Sequence, residues 1–219
     1  MTAARTAPVT TEPVPTPAGE ARITLHPAPA PRAVLALGHG AGGGIEARDL
    51  AALAAALPAR GVSVALVEQP WRVAGRKVAP ATKTLDAGWE PVAGRLAGAG
   101  LPLVVGGRSA GARVACRTGA ASGAVGVVAL AFPLHPPGRP EKSRAGELLG
   151  SGLPTLVVQG ATDPFGAPAE FPELPASHEL VALPAGNHGF EVAKRAATGQ
   201  RELLDLLVSA VGDWVLRVV

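Results

Sequence analysis

The sequence predicts an open, mostly parallel α/β sheet with helices packed on both faces. Short apolar runs recur along the 219-residue chain and alternate with Ala- and Leu-rich stretches of helical spacing. Most of these runs are apolar at consecutive positions with few polar interruptions, as strands covered on both faces are. Apolar residues make up 47% of the chain but aromatics only 3%, and Tyr is absent, so the core must be built from Val, Leu and Ala. Such a core suits a sheet between helices better than an aromatic-rich sandwich, and the length fits one domain.

The elements follow in order. Residues 1–20, rich in Pro and Thr, are expected to be a flexible tail or an edge strand ahead of a single domain over 21–219. Ala21–His26 reads as a short strand with Ile23 and Leu25 on one face. Ala33–Leu37 is an apolar run ended by the glycine-rich stretch Gly38–Gly44. Asp49 stands at a predicted N-cap before a helix over Leu50–Ala59, with Gly61 as its stop. Val62–Val67 is the next strand, and Thr84–Leu96 a helix that Pro91 should bend. Leu101–Val105 is a strand, and Ser109–Thr118 a helix closed by Gly119. Val125–Phe132, Thr155–Val158 and Glu179–Leu183 are further strands, the last preceded by a polar loop carrying His178. An amphipathic C-terminal helix aligns Leu203, Leu204, Leu207, Val208, Val211 and Trp214. The Pro-rich interruption Pro133–Pro140 leaves little chain for a large lid.

Composition excludes several classes. The formal charge of +3 is modest, although the pI is about 9.6. The Arg residues are scattered, without the interleaved aromatics of a nucleic-acid platform, so no nucleic-acid partner is expected. A single Cys, Cys116, permits neither an internal disulfide nor a Cys-based metal site. No uninterrupted apolar run approaches the ~18 residues of a membrane span, and the N-terminus lacks the apolar stretch of a signal peptide. The expectation is a cytoplasmic protein with no metal, no cofactor and no membrane partner. Composition leaves its oligomeric state open.

The strongest chemical signal is Gly107-Arg108-Ser109-Ala110-Gly111, a G-x-S-x-G pattern at the end of an apolar strand and the start of a helical segment. In that setting it reads as a nucleophile elbow, with Ser109 held in a strained turn and the Ala110 amide opening a helix N-terminus. A serine needs a base to accept its proton. Of the five histidines, His188 lies in a glycine-flanked loop after the last strand and before the last helix. The acid must then fall between the two. Asp163, in a turn after the strand Thr155–Val158, is the only Asp in that interval. Nucleophile, acid and base stand in the chain order Ser…Asp…His. A helix-capping role is the alternative reading of Asp163, with Pro164 at the first helical position.

In a hydrolase, Gly38-His39-Gly40-Ala41-Gly42-Gly43 is expected to supply a second oxyanion amide, best assigned to Ala41, with Gly40 and Gly42 as neighbours beside the substrate. Two such donors are worth roughly 3 kcal/mol each. The same stretch also spells G-x-G-x-x-G, with Glu68 at the end of the next strand where a ribose-binding acid would stand. Alone, that segment reads almost as well as a dinucleotide site, but such a reading leaves Ser109, Asp163 and His188 unexplained. Arg108 and Arg113 flank the elbow, and Arg72, Arg76 and Lys77 follow the Val62–Val67 strand. Either set suits an acidic substrate group or pairing with carboxylates. His135 is a further candidate for lining the pocket.

The segments GHGAGGG, GGRSAGAR, QGATDPFG and GNHGF, in that order, resemble the small α/β-hydrolases of the dienelactone-hydrolase-like group. Glu68-Gln69-Pro70, Val73-Ala74-Gly75-Arg76 and Pro133–Gly138 are similar to the narrower family of testis-expressed protein 30 and the third subunit of the NSL acetyltransferase complex. The resemblance covers roughly residues 20–219. It implies an α/β-hydrolase fold, a Ser109–Asp163–His188 triad and an oxyanion hole near Ala41 and Ala110. With that triad the chain is expected to be a serine esterase or related acyl hydrolase, and its short loops predict an open pocket favouring small esters. Dienelactone hydrolases themselves use a Cys nucleophile, whereas this elbow carries Ser109, and Cys116 falls inside the helix. A catalytically silent interaction module on the same fold is the remaining alternative.

Overall fold

A computed structural model describes residues 7–219; residues 1–6 of the predicted N-terminal segment lie outside the described residues. Among the described residues, the strands are β1 (Thr10–Thr16), β2 (Gly19–His26), β3 (Ala33–Gly38) and β4 (Val62–Glu68), then β5 (Leu103–Arg108), β6 (Gly126–Leu130), β7 (Thr155–Gly160) and β8 (His178–Leu183). They form one sheet in the order β1-β2-β4-β3-β5-β6-β7-β8. The β1–β2 and β2–β4 pairs are antiparallel and all the others parallel. The helices are α1 (Arg48–Ala56), α2 (Pro70–Val73), α3 (Thr82–Ala97), α4 (Ala110–Thr118), α5 (Ala145–Leu149) and α6 (Gln200–Val218).

The central strands feed two cores, because successive side chains point to opposite faces. In β3, Val34 and Ala36 face a layer with Trp89 and Val92 of α3 and Ala112 and Val114 of α4. Ala33, Leu35 and Leu37 face the other layer, with Leu50 and Leu53 of α1 and Leu203, Leu207 and Trp214 of α6. Full burial of each such Leu contributes roughly 1.5–3 kcal/mol, so apolar residues on both strand faces have a physical cause. α1 and α4 thus leave neighbouring strands β3 and β5 toward opposite faces. This switch opens a crevice at the carboxyl ends of those strands, the usual place for a ligand in such sheets.

Several local expectations are corrected. Asp49 is not the N-cap of α1: Ala47 holds that position, and Asp49 is buried in the first turn. α1 stops at Ala56, and Leu57–Arg60 continue as a 3₁₀ turn around Pro58, closed by Gly61 at φ 83°. α3 runs unbroken through Pro91, which has no N–H to donate to the Ala87 carbonyl. His178 is the first residue of β8, buried, rather than part of a polar loop. Thr10–Thr16 form the edge strand of a hairpin with β2, and Pro13 and Pro15 withhold two amides from further pairing.

Candidate active site

Ser109 sits between β5 and α4 with φ 52° and ψ −111°, a strained backbone for a residue with a side chain. Its amide donates to the Leu130 carbonyl of β6 at 2.9 Å, which anchors the turn to the neighbouring strand. Glycines make the turn sterically feasible. A Cβ on Gly107 or Gly111 would collide with the Gly38 carbonyl, and one on Gly106 with the Val128 carbonyl. The elbow and the glycine loop after β3 therefore touch backbone to backbone. Gly40 lies against the nucleophile, where an added Cβ would stand 3.4 Å from Ser109 Cβ.

The loops after β7 and β8 bring Asp163 and His188 to Ser109. Ser109 Oγ and His188 Nε2 are 2.8 Å apart. On the far side of the ring, His188 Nδ1 lies 2.9 Å from Asp163 Oδ2 and 3.1 Å from Oδ1. A carboxylate only accepts, so Nδ1 carries the proton and Nε2 is left to accept from the serine hydroxyl. The Asp163 side chain is fully buried and also accepts from the Phe165 amide at 2.8 Å and Gln159 Nε2 at 2.9 Å. These bonds satisfy the buried carboxylate oxygens and fix the side chain in place. No helix follows Asp163 directly, so the capping alternative does not hold. Phe165 stacks on the His188 ring at a centroid distance of 4.1 Å. The acid and base loops are joined by Thr162, whose amide and hydroxyl both donate to the Gly186 carbonyl.

The oxyanion candidates also lie at the elbow. Ala110 is the first residue of α4, where helix geometry leaves the amide without an intrahelical partner. At Ala41, orientation is set by His39, a residue to which the sequence assigned no role. His39 Nε2 accepts from the Gln69 amide at 3.1 Å, so Nδ1 carries the hydrogen and donates to the Gly40 carbonyl at 2.8 Å. The 40–41 peptide is trans, so pinning its carbonyl on His39 directs the Ala41 N–H away from His39. Burial holds His39 below the usual imidazole range, and Trp71 meets its ring edge-on at 5.5 Å. Its glycine-rich context signalled a loop, but the tertiary partner Gln69 gives it this function. Gly42 has open space around it.

Two residues expected at the substrate are committed elsewhere. Arg108 Nη2 donates to the His188 carbonyl at 2.6 Å, and Nε lies 3.4 Å from Asp49 Oδ2. His135 donates from Nδ1 to the Pro136 carbonyl and from Nε2 to Glu170, both at 3.0 Å. Those two acceptors, the Pro136 carbonyl first, raise its pKa. Arg113 makes a two-pronged pair with Glu147, which Arg117 shares. A second serine–histidine contact, Ser151 Oγ to His178 Nε2 at 3.3 Å, is buried. There Nε2 also lies 3.0 Å from the Leu148 carbonyl, so it carries the hydrogen and cannot take one from Ser151. Among the described residues, no three His, Cys, Asp or Glu side chains group as metal ligands, and no helix is long and apolar enough to cross a membrane.

The dinucleotide alternative does not fit this geometry. α1 begins at Arg48, well past the glycines, so no helix N-terminus opens onto the loop for a pyrophosphate. Glu68 is paired with Arg22 at 3.4 Å.

Comparisons with known proteins agree with the architecture. The chain is similar in fold to the lidless α/β serine hydrolase XC6422 from Xanthomonas campestris, at 21% identity and a TM-score of 0.72, covering 96% of this chain and 97% of that one. Dienelactone hydrolase from Anabaena variabilis matches at 18% identity and a TM-score of 0.72, over 98% and 100% of the two chains. Est1E from Butyrivibrio proteoclasticus matches at 14% identity and 0.69, over 94% and 98%. No curated protein matches the chain. The family described as "Alpha/beta hydrolase domain" matches residues 31–216, and the chain belongs to it.

Proposed function

We propose that the protein is a serine hydrolase that cleaves small carboxylic esters, or related acyl compounds, through an acyl-enzyme on Ser109. The observation that carries this reading is the continuous chain Ser109 Oγ, His188 Nε2, His188 Nδ1, Asp163. In the first step Ser109 Oγ attacks the substrate carbonyl carbon while His188 Nε2 takes the hydroxyl proton. The carbonyl oxygen becomes an oxyanion, stabilised by the amides of Ala41 and Ala110. Asp163 holds the imidazole in its tautomer and stabilises the imidazolium that forms. Collapse breaks the bond to the alcohol, which leaves with the proton from His188. Water then repeats the sequence: His188 takes its proton, its oxygen attacks the acyl carbon, and Ser109 leaves with the proton returned.

The leaving group must face His188 to receive its proton, so the acyl group lies on the other side of the oxyanion hole. Beside the elbow residue Ala110 a narrow cleft is bounded by Gly40, Trp71, Leu85 and Val114, with free space of about 10 Å³. That is about what one water fills, and its small size supports a short acyl portion. The reading includes a catalytic domain over residues 21–219 and a cytoplasmic enzyme working on small molecules without metal or cofactor. It also includes the narrower kinship with testis-expressed protein 30 and the NSL subunit, supported by Glu68-Gln69-Pro70 and Pro133–Gly138. The test is turnover of p-nitrophenyl esters from acetate to octanoate by wild type and Ser109→Ala. Turnover that favours acetate and is abolished in the variant supports the reading. Turnover that survives in Ser109→Ala, or that favours octanoate, overturns it.

A further inference from the structure

We propose that Arg108 is a positioning residue that ties the backbone of the base to the nucleophile, with Asp49 as its buried anchor. The proposal rests on the hydrolase reading above. Arg108 is the last residue of β5 and directly precedes Ser109, so its backbone moves with the elbow. Its guanidinium spans to the base loop, where Nη2 donates to the main-chain carbonyl of His188 at 2.6 Å. His188 is thereby held at two points: Asp163 fixes the ring and Arg108 fixes the peptide. The two contacts together set the separation of Nε2 from Ser109 Oγ.

Asp49 explains why the guanidinium stays in place. Its side chain is 0% exposed, and Arg108 Nε lies 3.4 Å from Oδ2. Neither carboxylate oxygen has a short hydrogen bond among the described residues. A carboxylate buried this way is costly unless a charge stands opposite it; the cation at ion-pair distance is Arg108, with the Asp49 and Leu50 amides and Arg48 contributing less. Burial raises the Asp49 pKa, and the Arg108 charge opposes that shift. α1 thus contributes to the site through one acid that faces the elbow's own arginine. Arg108 is only 15% exposed, with little surface left to meet a substrate anion. The planar guanidinium makes one hydrogen bond, to the His188 carbonyl, and turns Nε, which has no hydrogen-bond partner among the described residues, toward Asp49 as a charge contact; a lysine ammonium at the same position does not reproduce this pair of contacts.

The test compares wild type with Arg108→Lys, Arg108→Gln and the double variant Arg108→Met/Asp49→Leu, which removes both buried charges so that folding is retained. Three readouts are taken: the fluorophosphonate labelling rate of Ser109, kcat and KM on p-nitrophenyl acetate, and the downfield proton NMR signal of the His188 Nδ1–H. Misplacement of a reacting group by about 1 Å can lower rate by ~10²-fold. We expect labelling and kcat to fall ~10- to 100-fold in all folded variants, with KM unchanged and the imidazole proton broadened or lost. Wild-type labelling with an intact imidazole proton in any folded variant overturns the strut. So does a rise in KM at constant kcat, which would place Arg108 on the substrate. If wild type itself is not labelled, the hydrolase reading fails. The imidazole proton then still decides the strut: its loss in the variants supports it, and its survival refutes it.

Discussion

Replacing His39 separates the orientation of the oxyanion loop from the stability of the fold. His39→Leu removes both the acceptor for the Gln69 amide and the donor to the Gly40 carbonyl. Each buried group left without a partner costs roughly 1–3 kcal/mol, so the stability loss is about 2–6 kcal/mol. The catalytic effect has a different origin. Once the Gly40 carbonyl is free, the 40–41 peptide can rotate and the Ala41 amide no longer holds its direction. Loss of one oxyanion donor costs ~10²- to 10³-fold in kcat. His39→Asn is the informative partner variant, because its side-chain amide sits where Nδ1 does and keeps the bond to Gly40. It loses the Gln69 bond but should retain most of kcat. The assay is p-nitrophenyl acetate turnover, paired with urea unfolding of each variant. A folded His39→Leu with wild-type kcat refutes the reasoning, as does an Asn variant no better than Leu.

His39 is held neutral by burial, its folded pKa lying below the unfolded value of about 6.5. The contribution is therefore full above that value and lost as pH falls toward the folded pKa, since only the unfolded chain takes up the proton. Wild type should lose stability on acidification relative to His39→Asn in urea titrations. His135 has the opposite sign: its pKa is raised by the Pro136 carbonyl and by Glu170, with Arg144 opposing. Stability lost in His135→Gln should be largest below about pH 6.5 and vanish as pH rises through the raised value. Gly111→Ala drives a Cβ into the Gly38 carbonyl; overpacking of this kind costs roughly 1–3 kcal/mol and should lower both Tm and Ser109 labelling. Burial pushes the Cys116 thiol up to about 12, so iodoacetamide should not modify the native protein, and Cys116→Ala should keep full activity.

Much of the fold was legible because strand periodicity and burial coincide. The central stretches 33–37 of β3, 64–67 of β4 and 156–158 of β7 are apolar at consecutive positions, and the structure covers them on both faces. Ser109, Asp163 and His188 were legible because each stands at a strand end, and Asp163 had no competing Asp in its interval. What stayed hidden depends on partners distant in sequence. Asp49 looks like a helix cap because capping and buried pairing use the same residue type; only Arg108, brought close by β5, distinguishes them. His39 gains its role from the amide of Gln69, thirty residues on. His178 sits in a polar-looking segment, yet Ser151 and the Leu148 carbonyl draw it inside. The short helix α5 has no full period to reveal it, and Glu147 within it is held by Arg113 and Arg117 of α4.

The central claim is that Ser109 is the activated nucleophile. Incubation with a fluorophosphonate, followed by intact mass and peptide mapping of wild type and Ser109→Ala, tests it most directly. A single adduct on the peptide carrying Ser109, and none on the variant, is the expected result. A well-folded wild-type protein that takes no adduct, or one labelled at another residue, contradicts it.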